Sequence, residues 1–248
     1  LMFVAFAVLF YRNLRYRRYL VGYKRGKYNF TDILSLNKMG WMVGLQMGLE
    51  TALFSITGIM IGWLGSIALA AHQVMVAIST LGFMIYYGVG AAVSVRVSNY
   101  FGRQELLHVR RTTMAGFHLI LCLAVCACTV FLFSRELIGY LFTTSEEVIR
   151  VVSTLVYILL AYQFGDALQI TYANSLRGIG DVISMAVISF IGYFLIAMPV
   201  CYICGFVLEW DITGIWIGYP IGLTLTGVML CGRYYWKLKT KTQSKEFY

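Results

Sequence analysis

Two acidic residues lie where the surrounding sequence is apolar. Glu50 occurs within GLQMGLETALFSITGIM and Asp166 within YILLAYQFGDALQITYA, whereas the other nine of the 11 acidic residues lie in loops or at the ends of apolar stretches. An ionisable side chain in the middle of a membrane span costs roughly 2.5–3.5 kcal/mol, so such residues face a polar cavity or a partner. Glu50 and Asp166 are therefore the candidate binding residues for a cation or a proton.

The two carboxyl groups are predicted to lie at the same depth. Glu50 follows Gly40 by ten residues and Asp166 precedes Arg177 by eleven, and Gly40 and Arg177 mark span ends on the same side. At a helical rise of 1.5 Å per residue, both acids lie about 15–16 Å into the bilayer. If their helices are neighbours, the two acids share one cavity. The alternative is a pair of protonated acids that are hydrogen-bonded to neighbouring helices.

Each acid has an aromatic residue one helical turn away. Phe54 follows Glu50 by four residues and Tyr162 precedes Asp166 by four, so each ring shares a helix face with its carboxyl group. A ring face beside a carboxylate suits an organic cation, and the tyrosine hydroxyl is a further oxygen ligand for an inorganic one. Ordinary packing of these rings is the alternative interpretation.

The composition indicates which elements position these residues. Of the 248 residues, 60% are hydrophobic and 12% charged, and apolar stretches of about 20 residues alternate with short charged segments, as a bilayer about 30 Å thick requires. The stretch at 119–133 is continuously apolar, whereas the strands of a membrane β-barrel alternate apolar and polar residues. The stretch therefore indicates helices. We predict an all-α six-helix transmembrane bundle with spans at about 39–64, 73–99, 112–133, 148–172, 184–207 and 213–236.

The basic residues orient these spans. The formal charge is +9, but the Lys and Arg residues lie at span ends and form no groove interleaved with aromatic residues, so no nucleic-acid partner is expected. With the basic segment 12–36 on the cytoplasmic side, all 20 basic residues except Arg135 and Arg150 fall on that side, which makes 18. This asymmetry predicts a multi-pass membrane protein with a cytoplasmic carboxyl terminus.

The same pattern divides the chain into four segments. Residues 1–11 are apolar but span only about 16 Å, and the first residue is not Met, so we interpret them as the end of a preceding, truncated transmembrane helix. We then expect a basic cytoplasmic linker at 12–36, a six-helix membrane segment at 37–236 and a basic cytoplasmic tail at 237–248. No internal repeat is recognisable.

Three stretches of the sequence resemble a known family. LETALFSITGIMIGWLGSIALAAHQV begins at residue 49, GAAVSVRVSNYFG covers residues 90–102 and AYQFGDALQITYANSLRGIGD covers residues 161–181. Together they resemble the multidrug and toxic compound extrusion (MATE) family, specifically its NorM-like branch. The resemblance extends over essentially the whole chain and implies the C-terminal lobe of a twelve-helix transporter, so the N-terminal six-helix lobe of the same chain would be missing here. It implies that 12–36 is the inter-lobe linker and 37–236 the transport lobe.

The resemblance implies a multidrug efflux antiporter of the bacterial inner membrane. Such a protein exports cationic amphiphilic small molecules in exchange for Na+ or H+ by alternating access, without a cofactor other than the coupling ion. On the family pattern, the coupling cation is bound by Glu50 and Asp166, which would be Na+ ligands in a sodium-coupled protein, with Tyr162 beside them. The substrate cavity would include Phe54, Gln73, Glu146 and Glu147.

Two other functions are weighed against export. A lipid-linked oligosaccharide flippase of the same superfamily would need basic residues at mid-span for the pyrophosphate, and the sequence places essentially none there. A membrane enzyme would need a catalytic constellation, but His72, His108 and His118 form no H-E-x-x-H motif or serine triad. Cys201 and Cys204 form a C-x-x-C without the further ligands of a zinc site. We therefore expect no enzyme activity.

Overall fold

The computed structural model describes residues 2–12 and 29–246. The chain divides into two units, and the division falls after Gly40. The first contains helix α1 (Met2–Arg12) and the beginning of α2. Most of the predicted inter-lobe linker and the last two residues of the predicted tail lie outside the described residues, so these predictions stay predictions.

The described residues are almost entirely helical and include no strand. After α1 come α2 (Phe30–Gly62), α3 (Ser66–Gly102), α4 (Leu106–Phe133), α5 (Arg135–Phe142), α6 (Glu146–Gly178), α7 (Val182–Phe190), α8 (Met198–Tyr202) and α9 (Asp211–Glu246). Two π-helical segments, Ile191–Ala197 and Ile203–Val207, make α7 and α8 parts of one continuous span. Within residues 2–12 and 29–246, six helical segments are long and apolar enough to cross a membrane. The predicted all-α six-helix membrane bundle is confirmed.

Several helices extend beyond the predicted spans. Helix α2 begins at Phe30, nine residues before the predicted start at 39, and α9 continues ten residues past the predicted end at 236. The Asn29 side chain accepts a hydrogen bond from the Thr31 backbone N–H at 3.4 Å, and Asp32 lies in the first turn. Apolar character marks only the part of a helix that lies in the bilayer, so it underestimates helix length.

Helix α6 is the centre of the second unit. It packs most extensively against α9 and α3 and also contacts α4 and α5. Its buried positions run from Val148 to Leu176 and cover most sides of the helix. By contrast, residues 41–62 of α2 contact the other helices mainly through side chains, such as Thr57, which is hydrogen-bonded to Tyr219 of α9. A space therefore remains between α2, α3 and α6.

Glycines on α9 bring its backbone against the span that contains α8. Gly214, Gly218 and Gly222 follow one another at four-residue spacing, and each faces that span. A Cβ atom on Gly218 would clash with Cys201 Sγ, and one on Gly222 would clash with the Ala197 Cβ. Small residues allow membrane helices to approach this closely, and the resulting van der Waals contacts drive their association.

The substitution Gly218→Ala tests this close packing. We expect it to lower the free energy of unfolding by about 1–3 kcal/mol, because the added methyl group forces α9 away from Cys201. The matched control is Gly232→Ala on the same helix, where no atom lies within 4 Å of the added Cβ. The control is expected to be neutral or slightly stabilising. Equal melting temperatures of the two purified variants would contradict the packing.

An ion pair fixes the turn between α6 and α7. Gly180 takes a φ of +75°, which a glycine adopts without strain, and Asp181 follows it. The Asp181 carboxylate accepts hydrogen bonds from Arg233 Nε at 2.8 Å and Ser184 Oγ at 2.9 Å, with Lys237 at 3.9 Å. Burial acts to raise the pKa of Asp181, but the hydrogen bonds and positive charges outweigh it and leave the pKa below its ordinary value.

The stability contributed by this ion pair is expected to depend on pH. Because folding lowers the pKa of Asp181, the pair stabilises the fold above the ordinary pKa of 3.8 and loses its effect as the pH falls through the folded value. Asp181→Asn should therefore cost about 1–3 kcal/mol at neutral pH. The difference between wild type and variant should shrink below about pH 4 in thermal unfolding. A difference that is the same at pH 7 and pH 3 would refute this account.

Candidate functional site

Glu50 lies on α2, half-buried among polar side chains. Gln46, one turn earlier, donates a hydrogen bond from Nε2 to Glu50 Oε2 at 3.2 Å. Gln169 of α6 and Tyr193 of the first π-helical segment also lie against the Glu50 carboxyl group. Amide and hydroxyl groups from three separate helical segments thus surround one acid, which makes it a site for charge in an otherwise apolar bundle.

Asp166 lies on α6 and is fully buried. Neither carboxyl oxygen has a hydrogen-bond partner within the described part of the chain. Its charge lies close enough to interact with that of Glu50 and with the buried Tyr162, one turn earlier on α6. Gly165 allows the close approach of α9 beside it, because a Cβ there would lie 2.7 Å from Thr224 Oγ1. The structure therefore brings the two predicted acids together.

A cavity of about 280 Å³ opens beside this pair, between α2, α3 and α6. Glu50, Phe54 and Tyr162 contribute to its wall, as do the hydroxyl groups of Ser79 and Thr80. The complete lining consists of Met47, Glu50, Thr51, Phe54, Val76, Ser79, Thr80, Phe83, Met84 and Tyr162. Small-molecule sites are mostly apolar with a few converging polar groups and begin at about 300 Å³. This cavity matches that description, with one acid at its wall.

The ring of Phe54 is held in place from α9. It stacks on Tyr219 with ring centroids 4.8 Å apart and an angle of 20° between the planes. The Tyr219 hydroxyl is in turn hydrogen-bonded to Thr57, one turn after Phe54 on α2. Offset stacking of this kind contributes about 0.5–1.5 kcal/mol beyond area burial. Phe54 thus packs against Tyr219 and also forms part of the cavity wall. Its two interpretations, ordinary packing and a ring beside the cation site, are therefore compatible.

Three residues that the family pattern implies for the substrate cavity lie elsewhere in this structure. Gln73 is exposed on α3, one turn before Val76, and is not part of the cavity lining. Glu146 and Glu147 are exposed in the first turn of α6. Twenty residues of helix, about 30 Å, separate Glu146 from Asp166. The structure therefore does not bring these three residues to the acid pair within this lobe.

Three polar residues at the site were not predicted from the sequence: Gln46, Gln169 and Tyr193. The first two were detectable, because each lies one helical turn from Glu50 or Asp166. Tyr193 has no such signal, since a π-helical segment places it, and its buried hydroxyl accepts a hydrogen bond from Gln169 Nε2 at 2.5 Å. Single π-helical turns occur frequently at functional sites.

The donor set of the site consists of oxygens. Asp166 and Gln169 carry side-chain oxygens that have no hydrogen-bond partner in the described residues, and Glu50 and the Tyr162 hydroxyl lie beside them. Within the described ranges, no three His, Cys, Asp or Glu residues cluster as a metal-ligand group. Carboxylate, amide and hydroxyl oxygens suit hard or monovalent cations and not the thiolate and imidazole chemistry of zinc.

These features define a class of protein: a multi-pass helical membrane protein with an acidic pair beside an amphipathic cavity. A family model described as MatE matches residues 43–203. The chain belongs to this family, multidrug and toxic compound extrusion, which confirms the resemblance seen in the sequence.

Relatives and solved structures agree with this assignment. The "Multidrug resistance protein NorM" of Photobacterium profundum is 34% identical over 220 residues, covering 87% of this chain and 47% of that protein. The NorM of Aliivibrio fischeri is 32% identical over 217 residues, covering 86% and 47%. The crystal structure of the eukaryotic MATE transporter AtDTX14 shares the fold, with a TM-score of 0.78 at 20% identity, over 88% of this chain and 51% of that one. The chain thus spans about half the length of the curated relatives it matches.

The unpartnered carboxyl group of Asp166 predicts an unusual stability effect. Asp166→Asn is expected to leave the melting temperature unchanged or to raise the free energy of unfolding by about 1 kcal/mol, since a neutral amide costs less to bury than an unpaired acid. Asp181→Asn, which breaks an ion pair, is the matched control and should destabilise the protein. If Asp166→Asn proves as destabilising as the control, the Asp166 carboxyl group contributes to the fold.

Proposed function

We propose that this chain is the C-terminal lobe of a secondary active multidrug efflux antiporter. In this proposal, the transporter exports organic cations or amphiphilic drugs in exchange for Na+ or H+ by alternating access. The observation that carries the proposal is the buried, unpartnered carboxyl group of Asp166 beside Glu50. Glu50 in turn forms part of the wall of a 280 Å³ cavity. Two neighbouring acids in an apolar bundle are unfavourable in their ionised form, because they repel each other and lack water. A bound cation removes this free-energy cost.

The cavity supports a substrate that is both apolar and positively charged. Phe54 and Phe83 offer ring surfaces, Met47 and Met84 offer adaptable apolar side chains, and Glu50 offers a negative charge. Ring faces attract cations most strongly where water is excluded, and methionine side chains adapt to ligands of different shape. This combination fits a range of lipophilic organic cations instead of one specific compound.

Exchange follows if the coupling ion and the organic cation use the same acids. Both are positively charged and would bind the negative charge of Glu50 or Asp166. When one of them occupies these acids, the other therefore binds less well. Transport is coupled when each prefers a different arrangement of the two lobes, because a ligand shifts a conformational equilibrium only through its difference in affinity. The N-terminal six-helix lobe would form the opposite wall, as expected for a chain that covers 47% of its NorM relative.

The charge asymmetry of the sequence supports a cytoplasmic carboxyl terminus. The helical spans fit the bacterial inner membrane, because outer-membrane proteins are typically β-barrels. The basic residues at the end of α9, including Lys237, Lys239 and Lys241, would lie on the cytoplasmic side. Arg135 and Arg150 would lie on the opposite side, near α5 and the beginning of α6.

The flippase alternative has less support from the site. Recognition of a pyrophosphate would require basic residues in the binding cavity, and the lining of the 280 Å³ cavity includes no Lys or Arg. Arg177 lies on the other side of Glu50 and already donates hydrogen bonds to two amide side chains. The named relatives are multidrug resistance proteins.

The substitutions Glu50→Gln and Asp166→Asn in the complete protein test the proposal. Each should abolish ion-driven ethidium efflux while leaving expression intact, because the amide cannot carry the negative charge that binds the cation. Efflux is measured in proteoliposomes at a fixed membrane potential, with either a Na+ gradient or a pH gradient imposed. The gradient that drives wild-type efflux identifies the coupling ion.

A matched control uses an acid outside the site. Glu136→Gln changes an exposed carboxylate on α5, 79% accessible, and should leave efflux unchanged. Undiminished ethidium efflux in both the Glu50 and Asp166 variants would rule out the proposed cation site.

A further inference from the structure

Glu50 also contributes to a second, smaller cavity of about 20 Å³. Its polar lining residues are Gln46, Glu50, Tyr87, Gln169, Asn174 and Arg177. Glu50 thus forms part of the wall of both cavities, with the larger one on one side and the Arg177 guanidinium group on the other. Sequence analysis attributes Arg177 to membrane topology, so a second role for this residue would be new.

The Arg177 guanidinium group bridges two buried amides. One terminal nitrogen donates a hydrogen bond to Gln46 Oε1 at 3.3 Å, and the other donates to Asn174 Oδ1 at 3.2 Å. The Asn174 amide nitrogen donates to the Ile170 carbonyl oxygen at 2.9 Å. Helix α3 packs closely here, because a Cβ on Gly90 would lie 2.6 Å from Asn174 Nδ2. The Asn174 side chain is therefore held in place by its own helix and by α3, which limits the positions that Arg177 can take.

This arrangement fixes the orientation of the Gln46 amide group. A guanidinium group has donors and no acceptor, so the amide oxygen of Gln46 must face Arg177. The NH2 group must then face Glu50, where it lies 3.2 Å from Oε2. An ionised carboxylate is only an acceptor, so the chain from Arg177 through Gln46 to Glu50 has one satisfactory hydrogen-bond direction. Gln46 is 3% exposed, so water has little access to compete.

We propose that Arg177 is a positioning residue of the cation site, which acts on Glu50 through Gln46. The guanidinium group holds the NH2 of Gln46 against Glu50 and so keeps the carboxylate oriented toward the 280 Å³ cavity. This inference rests on the proposed function of Glu50. Without Arg177, the Gln46 amide oxygen loses the donor that holds it, so the Gln46 side chain can move away and its NH2 no longer keeps the Glu50 carboxylate in its binding orientation.

The direct effect of the Arg177 charge has the opposite sign. A positive charge near the site repels a cation, so its removal would strengthen cation binding if charge alone mattered. Loss of positioning would weaken binding. The direction of the change therefore separates the two roles.

The experiment measures equilibrium binding of ethidium to the purified complete protein by fluorescence anisotropy, at fixed pH and ionic strength. Arg177→Gln and Gln46→Leu are each expected to raise the Kd about three- to tenfold, the scale of one hydrogen bond to a charged group. In the double variant, Arg177→Gln added to Gln46→Leu should not weaken binding further, because Arg177 acts on Glu50 only through the Gln46 side chain. Arg150→Gln, an exposed position on the same helix, is the matched control and should leave the Kd unchanged.

A conservative variant covers the case in which Arg177→Gln does not fold. Arg177→Lys keeps the charge, but an ammonium group cannot bridge two amides with the planar geometry of the guanidinium group. Positioning predicts a Kd raised about threefold, whereas a pure charge effect predicts no change.

The outcomes separate this inference from the proposed function. A Kd that is unchanged or lower in Arg177→Gln, or unchanged in both Arg177→Lys and Gln46→Leu, overturns the positioning role. Glu50→Gln is measured in parallel. If Glu50→Gln weakens binding while these variants do not, the inference fails and the proposed cation site stands. If Glu50→Gln also leaves the Kd unchanged, both fail.

Discussion

The burial of Asp166 is the constraint on which the other features of the site depend. Its carboxyl group has no hydrogen-bond partner among the described residues and lies in the most enclosed helix of the bundle. Removing one acid from water costs several kcal/mol, and the nearby charge of Glu50 adds to this cost. The cost persists only because α6 is held by close packing on several sides. In the proposed function, a cation that enters the cavity beside Glu50 would offset this cost, which would link the packing of α6 to the binding of a positive charge.

The helices around this pair differ in how firmly they are held. Gly218 and Gly222 bring the α9 backbone against the span that contains α8, so displacement of either element would break many contacts at once. Residues 41–62 of α2 are joined to the bundle mainly by a few side chains, among them Phe54 and Gln46. Both of these side chains belong to the site or contact Glu50. Among the described helices of this unit, residues 41–62 of α2 are therefore held least by close backbone packing.

The sequence was sufficient for the number of spans, the acid pair and the family. Hydropathy marks spans because a bilayer has a fixed thickness, and Glu50 and Asp166 stand out because charge is rare in such spans. Helical spacing also identified Phe54 and Tyr162, which share a helix face with the acids. Spacing along one helix does not reveal which helices pack together, so the positions of Tyr193 and Arg177 near Glu50 required the structure. Glu146 is a different case, because its 20-residue distance from Asp166 is visible in the sequence and only the family pattern assigned it to the substrate cavity.

The central claim is that Glu50 and Asp166 act as one cation site. A double-mutant cycle on ethidium binding with Glu50→Gln, Asp166→Asn and the combined variant tests it most directly, at fixed pH and with the complete protein. Two acids that serve one bound cation should be coupled, so the account predicts an interaction energy of about 1 kcal/mol or more. Effects that add within about 0.5 kcal/mol would show two independent sites and would contradict the account.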